Sequence, residues 1–120
     1  MRYKITIRLC SEDMEILETI KNSLPGSSEL FAKGQPIRQQ SKFLAEQNVL
    51  IVYSESADRI DEPMIIREVE ALNHVSPNVK KELIISSVSD CDQYGFELSQ
   101  HLVQCLGISG FSIQVSGVFL

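Results

Sequence analysis

Apolar and polar residues alternate along two segments of the chain, and this pattern predicts β-strands with one buried face. In 2–9 every second residue is apolar, and 110–120 alternates in the same way. Continuous β-prone runs at 48–54 and 82–88 predict two further strands, and the first of these is expected in the middle of a sheet. Helices packed on the apolar face of such a sheet would complete a core.

A helix is predicted between the opening strand and the Pro-Gly pair at 25–26. It would begin after Ser11, a good N-cap residue, with two acidic residues in its first turn. Its apolar residues recur at helical spacing, and the Pro-Gly pair ends it. The next stretch is less regular, and we predict short strands at 28–32 and 37–43 around a turn marked by glycine and proline.

Two further helices have clear start signals. Asp61 is placed as the N-cap of a helix over 62–75, whose apolar residues form one stripe. Ser99 begins a shorter helix that runs to Leu106, with Gly107 as its C-terminal cap.

The order of elements, β-α-(β)-β-α-β-α-β, predicts one α+β domain over residues 1–120. We expect a mixed or antiparallel sheet of four to five strands. The helices would pack mainly on one face of that sheet, as in ferredoxin-like folds.

Composition places the chain in the ordinary globular class. With 43% apolar residues and no apolar run of membrane-spanning length, no membrane helix is expected. The N-terminal segment alternates in polarity and lacks the apolar stretch of a secretory signal, so we expect a cytoplasmic protein.

Charge is distributed unevenly along the chain, and this bears on possible partners. The net charge is −5, but 1–42 carries seven basic and five acidic residues, whereas 43–120 carries four basic and eleven acidic ones. Beyond Lys81 there is no lysine or arginine. Nucleic acid is therefore not expected as a partner, because phosphates need basic side chains, and a basic protein fits better.

The cysteines and histidines offer little chemistry. Cys91 lies between Asp90 and Asp92, and neighbouring carboxylates favour the protonated thiol over the nucleophilic thiolate. The same acidic turn lacks most ligands of an EF-hand calcium loop. His101 and Cys105 have the i, i+4 spacing of a shared metal, but two ligands do not make a site. We predict no catalytic residue, no metal and no cofactor.

Acidic residues offer a more coherent hypothesis, a surface that docks a cationic protein. Several precede the second helix, where capping and solubility also explain them, and others follow the strand at 82–88. Tyrosine is enriched among the residues that dominate binding at protein interfaces. The predicted binding residues are Asp58, Asp61, Glu62, Asp90, Asp92, Tyr94 and Glu97.

Four stretches of the chain, taken in order, form a layout found in a known group of proteins. They are the turn KGQPI, the strands NVLIVYS and LIISSV, and the closing segment GFELSQHLVQCLGISGFSIQVSGVF. The layout resembles a family of small bacterial α+β proteins of undefined function. The family's tryptophan after the glycine turn has no counterpart here, since the chain contains no tryptophan.

Some members of that family look like immunity proteins, which are encoded beside polymorphic or contact-dependent toxins. The resemblance implies that this chain binds and neutralises a cognate bacterial toxin without catalysis. Such toxins are often nucleases, whose substrate clefts are basic, so the partner would be a basic, nuclease-like protein.

Alternatives to the immunity hypothesis remain open at the level of the sequence. The first is a small-molecule-binding or regulatory α+β domain without catalysis. Another is an enzyme that uses Cys91 or His101. Protomers could also pair through an exposed strand edge, which would make a homodimer.

Overall fold

The computed structural model describes residues 2–24, 28–34, 47–75, 78–89 and 97–119. Five strands and three helices follow one another in this part of the chain. They are β1 (Arg2–Ser11), α1 (Met14–Ser23), β2 (Glu29–Phe31), β3 (Asn48–Ala57), α2 (Glu62–Ala71), β4 (Lys80–Ser89), α3 (Gln100–Ile108) and β5 (Phe111–Phe119). Within these residues no helix has the length and apolar character needed to cross a membrane.

The strands form one mixed sheet in the order β2-β3-β1-β4-β5. β1 is antiparallel to both β3 and β4, and β2 is antiparallel to β3. The first four strands and two helices thus make the split β-α-β arrangement of ferredoxin-like folds. β5 is added by a crossover through α3 and lies parallel to β4.

The apolar core lies between the three helices and one face of the sheet. Ile5, Ile7 and Leu9 alternate along β1 and are all buried. Each helix adds two buried side chains to the same cluster: Leu17 and Ile20 from α1, Ile65 and Val69 from α2, and Leu102 and Leu106 from α3. The predicted α+β class, with helices on one face of a mixed sheet, is confirmed.

Several predicted boundaries are wrong by a few residues. Asp13, not Ser11, is the N-cap of α1, because β1 continues through Ser11. α2 ends at Ala71 instead of residue 75. Gly107 lies inside α3, and the left-handed position after that helix, φ 77°, is taken by Gly110. The strand predicted at 37–43 lies outside the described residues.

A β-bulge in β3 decides which side chains face the helices. The register between β1 and β3 shifts between Ile7 and Arg8, which pair with Tyr53 and Ile51 and leave Val52 as the extra residue. An added residue reverses the alternation that follows it. Tyr53 therefore pairs on the helix side of the sheet, and it packs against the core there.

A polar network occupies the opposite face of the sheet, centred on Glu82, which is only 1% exposed. Arg8 donates to both oxygens of this carboxylate at 3.3 Å, the Cys10 thiol donates at 3.4 Å, and Gln114 donates a further bond. The Lys80 ammonium lies 4.0 Å away. Burial raises the pKa of Glu82, but the Arg8 guanidinium and the other donors outweigh this and hold it below its usual value.

Candidate functional site: the acidic end

The direction of the strands brings most of the predicted acidic residues to one end of the sheet. β3 and β4 are both antiparallel to β1, so they point the same way and finish at the same end. The two helices that follow them, α2 and α3, begin there and contact each other. We call this region the acidic end, defined by Glu55, Asp58, Asp61, Glu62 and Glu97.

The start of α2 is held by Asp61, as the sequence predicts. Its Oδ1 accepts a hydrogen bond from the backbone N–H of Met64 at 3.2 Å, and Pro63 occupies the first turn. The Asp61 side chain stays exposed, so it can cap the helix and still face a partner. A negatively charged side chain at this position also interacts favourably with the positive end of the helix dipole.

Glu62 connects the two helices at the acidic end. Its Oε2 accepts a hydrogen bond from the backbone N–H of Ser99 at 3.0 Å, and its Oε1 accepts another from the Ser99 hydroxyl. The Ser99 oxygen in turn accepts a bond from the backbone N–H of Leu102 at 3.1 Å and caps α3. Glu62 therefore has a structural role, because it ties the start of α3 to the start of α2.

A small cleft of about 200 Å³ opens beside the start of α2. Tyr53 donates a hydrogen bond to Glu55 on its wall. Burial, this bond and the nearby carboxylates of Glu55, Asp61 and Glu68 raise the pKa of the Tyr53 phenol far above its usual value, so it stays neutral. The remaining lining residues are Ile5, Ala57, Asp58, Arg59 and Asp61.

Two carboxylates at the acidic end are uncommitted. Asp58, in the turn after β3, and Glu97, just before α3, are both exposed. No described group donates a hydrogen bond to either of them, and neither forms an ion pair with a described residue. They are the members of the predicted set that can turn wholly toward a partner.

The remaining predicted binding residues, Asp90, Asp92 and Tyr94, lie outside the described residues, as does Cys91.

Glu68 was not predicted. Glu68 is seven residues after Asp61, so two helical turns place both carboxylates on the same face of α2. Both therefore lie near the Tyr53 phenol.

The described cysteines do not resemble activated nucleophiles. Burial, together with the adjacent Glu82 carboxylate, raises the pKa of the Cys10 thiol to about 11. Burial and Glu70 also raise the pKa of Cys105. In the parts of the chain that the structure describes, no three His, Cys, Asp or Glu side chains are grouped to hold a metal ion, so His101 and Cys105 have no third ligand there.

A second concave surface lies on the helix-free face of the sheet, across β2, β3, β1 and β4. This groove has a volume of about 560 Å³. Among the described residues, Lys4 forms no ion pair and the buried hydroxyl oxygen of Ser28 has no hydrogen-bond partner. The other polar side chains of the lining are those of Thr6, Arg8, Glu29, Ser54 and Ser86.

Among the described residues, the cleft at the acidic end is lined by carboxylates, a neutral phenol and Arg59. The groove is lined by hydroxyl groups, by Lys4 and Arg8 and by Glu29. Comparison with protein-family models, with curated proteins and with solved structures found no match to this chain.

Proposed function

We propose that this chain is a non-enzymatic binding protein whose acidic end docks against a cationic protein. In its most concrete form it is an immunity protein of the family that the sequence resembles, which neutralises a toxin in the cytoplasm of the producing cell. The single observation that carries the proposal is the gathering of five carboxylates at one end of the sheet around two joined helix starts.

The helix starts make this end suitable for recognition because their positions are constrained. The bonds of Asp61 to α2 and of Glu62 to Ser99 fix both helix N-termini relative to each other. A preorganised surface loses less conformational entropy when it binds. The uncommitted Asp58 and Glu97 can then pair with basic side chains of the partner without first breaking a described internal bond.

Charge also supports the choice of partner. A nuclease must present a basic cleft to nucleic acid, so an acidic surface of this kind is complementary to it. Complementary charges accelerate encounter and reject wrong partners, whereas tight binding needs a few desolvated anchors. Tyr53, neutral and partly buried beside Glu55, has the amphipathic character of such an anchor.

The proposal is tested by reversing the two uncommitted charges. The partner to use is the C-terminal domain of the protein encoded next to this chain, purified as an inactive variant. We expect Asp58→Lys combined with Glu97→Lys to slow association about tenfold at low salt, because steering is lost. Stopped-flow mixing at about 50 mM and about 300 mM salt measures the rate and its salt dependence.

The matched control is Glu18→Lys combined with Glu70→Lys. Both residues are exposed on helices, away from the start of α2, and the pair changes the net charge by the same amount. The control should associate at nearly the wild-type rate. Equal slowing by both pairs would mean that only net charge matters, and no binding by the wild type would contradict the proposal.

A second candidate function, binding of a small anion, is favoured by the groove on the helix-free face. Lys4 and the unpartnered Ser28 hydroxyl supply donors for a carboxylate or phosphate group. Citrate or inorganic phosphate at ten times its dissociation constant would raise the melting temperature by about 6 °C. Lys4→Ala should remove this rise in melting temperature, while Lys33→Ala, outside the groove, should keep it. If neither anion raises the melting temperature of the wild type, the groove does not bind citrate or phosphate.

A further inference from the structure

The outer edge of β5 is the long unpaired edge of the described sheet. β5 runs over Phe111–Phe119 and pairs only with β4 among the described strands, whereas the opposite edge strand, β2, has three residues. Folded proteins usually protect a long edge with charged side chains, proline or a bulge. β5 contains no charged residue and no proline.

Exposed apolar side chains are concentrated in β5 and in the helix that precedes it. Of the described residues, the large hydrophobic side chains that are exposed are Val103, Ile108, Ile113 and Val115, at 45%, 80%, 38% and 58%. All four belong to the α3–β5 unit. Residues 98–119 also contain no Asp, Glu, Lys or Arg, although the chain as a whole has a net charge of −5. An uncharged edge flanked by exposed apolar residues marks an interaction surface.

We propose that β5 pairs in antiparallel orientation with β5 of a second copy of this chain, which joins the two sheets into one. The inference goes beyond the proposed function and does not depend on it. A strand that pairs with its own copy forms a closed two-fold interface. With the axis at Val115, all nine residues of β5 are paired, and no charged residue faces another.

The register also matches apolar positions. Phe111 lies opposite position 119, and Ile113 lies opposite Gly117, on the helix side of the sheet. Val115 lies opposite its own copy there. On the other face of the sheet, Ser112 lies opposite position 118 and Gln114 opposite position 116, so neither face places a charge in the interface.

Antiparallel pairing has a consequence for the acidic end. The acidic end lies where β3 and β4 finish, and β5 is parallel to β4. The two-fold axis therefore places the two acidic ends at opposite ends of the joined sheet. The like charges of the two copies stay apart, and each copy keeps its acidic end open. Because the acidic ends of the two copies do not repel each other in this arrangement, it favours a second copy as the occupant of the β5 edge.

The interface is narrow, so we expect a dimer that dissociates in the micromolar range. Sedimentation velocity of the full chain up to about 200 µM should show monomers giving way to dimers. Val115→Lys places two like charges opposite each other at the axis and should weaken the dimer at least tenfold. Asn22→Lys, which adds the same charge at an exposed position on α1, should weaken it less than threefold.

A cross-link tests the register independently and leaves the edge uncharged. Opposite residues of an antiparallel pair have Cα atoms about 4.5–5.5 Å apart, within the range of a disulfide. In a background with Cys91 and Cys105 changed to serine, Val115→Cys should form a covalent dimer on oxidation, and Val103→Cys should not. A wild type that stays monomeric at about 200 µM, or a dimer that Val115→Lys leaves intact, would overturn the proposal.

Discussion

Replacing Arg8 with methionine is expected to lower the free energy of unfolding by about 3 kcal/mol near neutral pH. The substitution keeps the aliphatic bulk of the side chain but removes both bonds to the Glu82 carboxylate, which is 1% exposed. A buried charge that loses its main partner keeps its desolvation cost without compensation. Urea unfolding followed by circular dichroism measures the change.

The effect should depend on pH in a defined direction. In the wild type the pKa of Glu82 lies below its usual value of 4.5, so its stabilising contribution is present above that value and is lost as the pH falls through the lowered pKa. In the Arg8→Met variant burial prevails, and the Glu82 pKa rises above the usual value. The variant carboxyl then takes up a proton as the pH falls, and the difference from wild type shrinks toward about pH 4.

Lys80→Met is the matched control for this experiment. Its ammonium lies 4.0 Å from Glu82 but is 62% exposed, and exposed ion pairs contribute about 0–1 kcal/mol. The control should therefore change the stability little. Two results would show that Glu82 is not the buried ion of this network. One is an Arg8→Met variant as stable as Lys80→Met, and the other is a loss of unfolding free energy that grows toward acidic pH.

Shortening Leu102 to alanine is the second change for which we expect a large loss, about 3 kcal/mol of unfolding free energy. Leu102 is fully buried between α3 and the sheet, so the variant loses apolar contacts and leaves a cavity. The backbone N–H of Leu102 donates a hydrogen bond to the Ser99 hydroxyl, which itself donates to Glu62. Leu102 therefore lies in the first turn of α3, which Ser99 caps. Chemical unfolding at low protein concentration measures the loss.

Val103→Ala is the neighbouring control, since Val103 is 45% exposed. It should change the stability by less than about 0.5 kcal/mol, as most surface substitutions do. If Leu102→Ala destabilised the protein no more than Val103→Ala, α3 would not be held by its buried face. The placement of Ser99 and Glu97 at the acidic end would then lose its physical basis.

The sequence predicted the elements whose signals are local. Asp61 is predicted as an N-cap and Ser99 as the beginning of a helix from their residue types, and in the structure each side chain accepts a hydrogen bond from the backbone N–H three residues ahead. Ser11 was placed wrongly because a second capping residue, Asp13, follows it, and the pairing of β1 with its neighbours extends the strand to Ser11. Tertiary pairing thus overrode a local preference.

Features that depend on pairing between strands could not be predicted from the sequence. The bulge that turns Tyr53 toward the helices follows from the register of β3 against β1, and no residue type marks it. The Glu82 network joins β1, β4 and β5, and its members are far apart in the chain. Four of the five residues that define the acidic end belong to the predicted binding set, but the Glu62–Ser99 bond that joins its two helices was not predicted.

The most direct test of the central claim, that the acidic end is the surface that meets a cationic protein, is hydrogen exchange of the full chain in complex with that protein. The protein to use is the nuclease-like domain that the proposed function expects to be encoded beside this chain. We predict that amide exchange slows in 55–62 and 97–99 on binding and stays unchanged along β1. Slowing confined to the groove on the helix-free face or to the β5 edge, with 55–62 unaffected, would contradict the account.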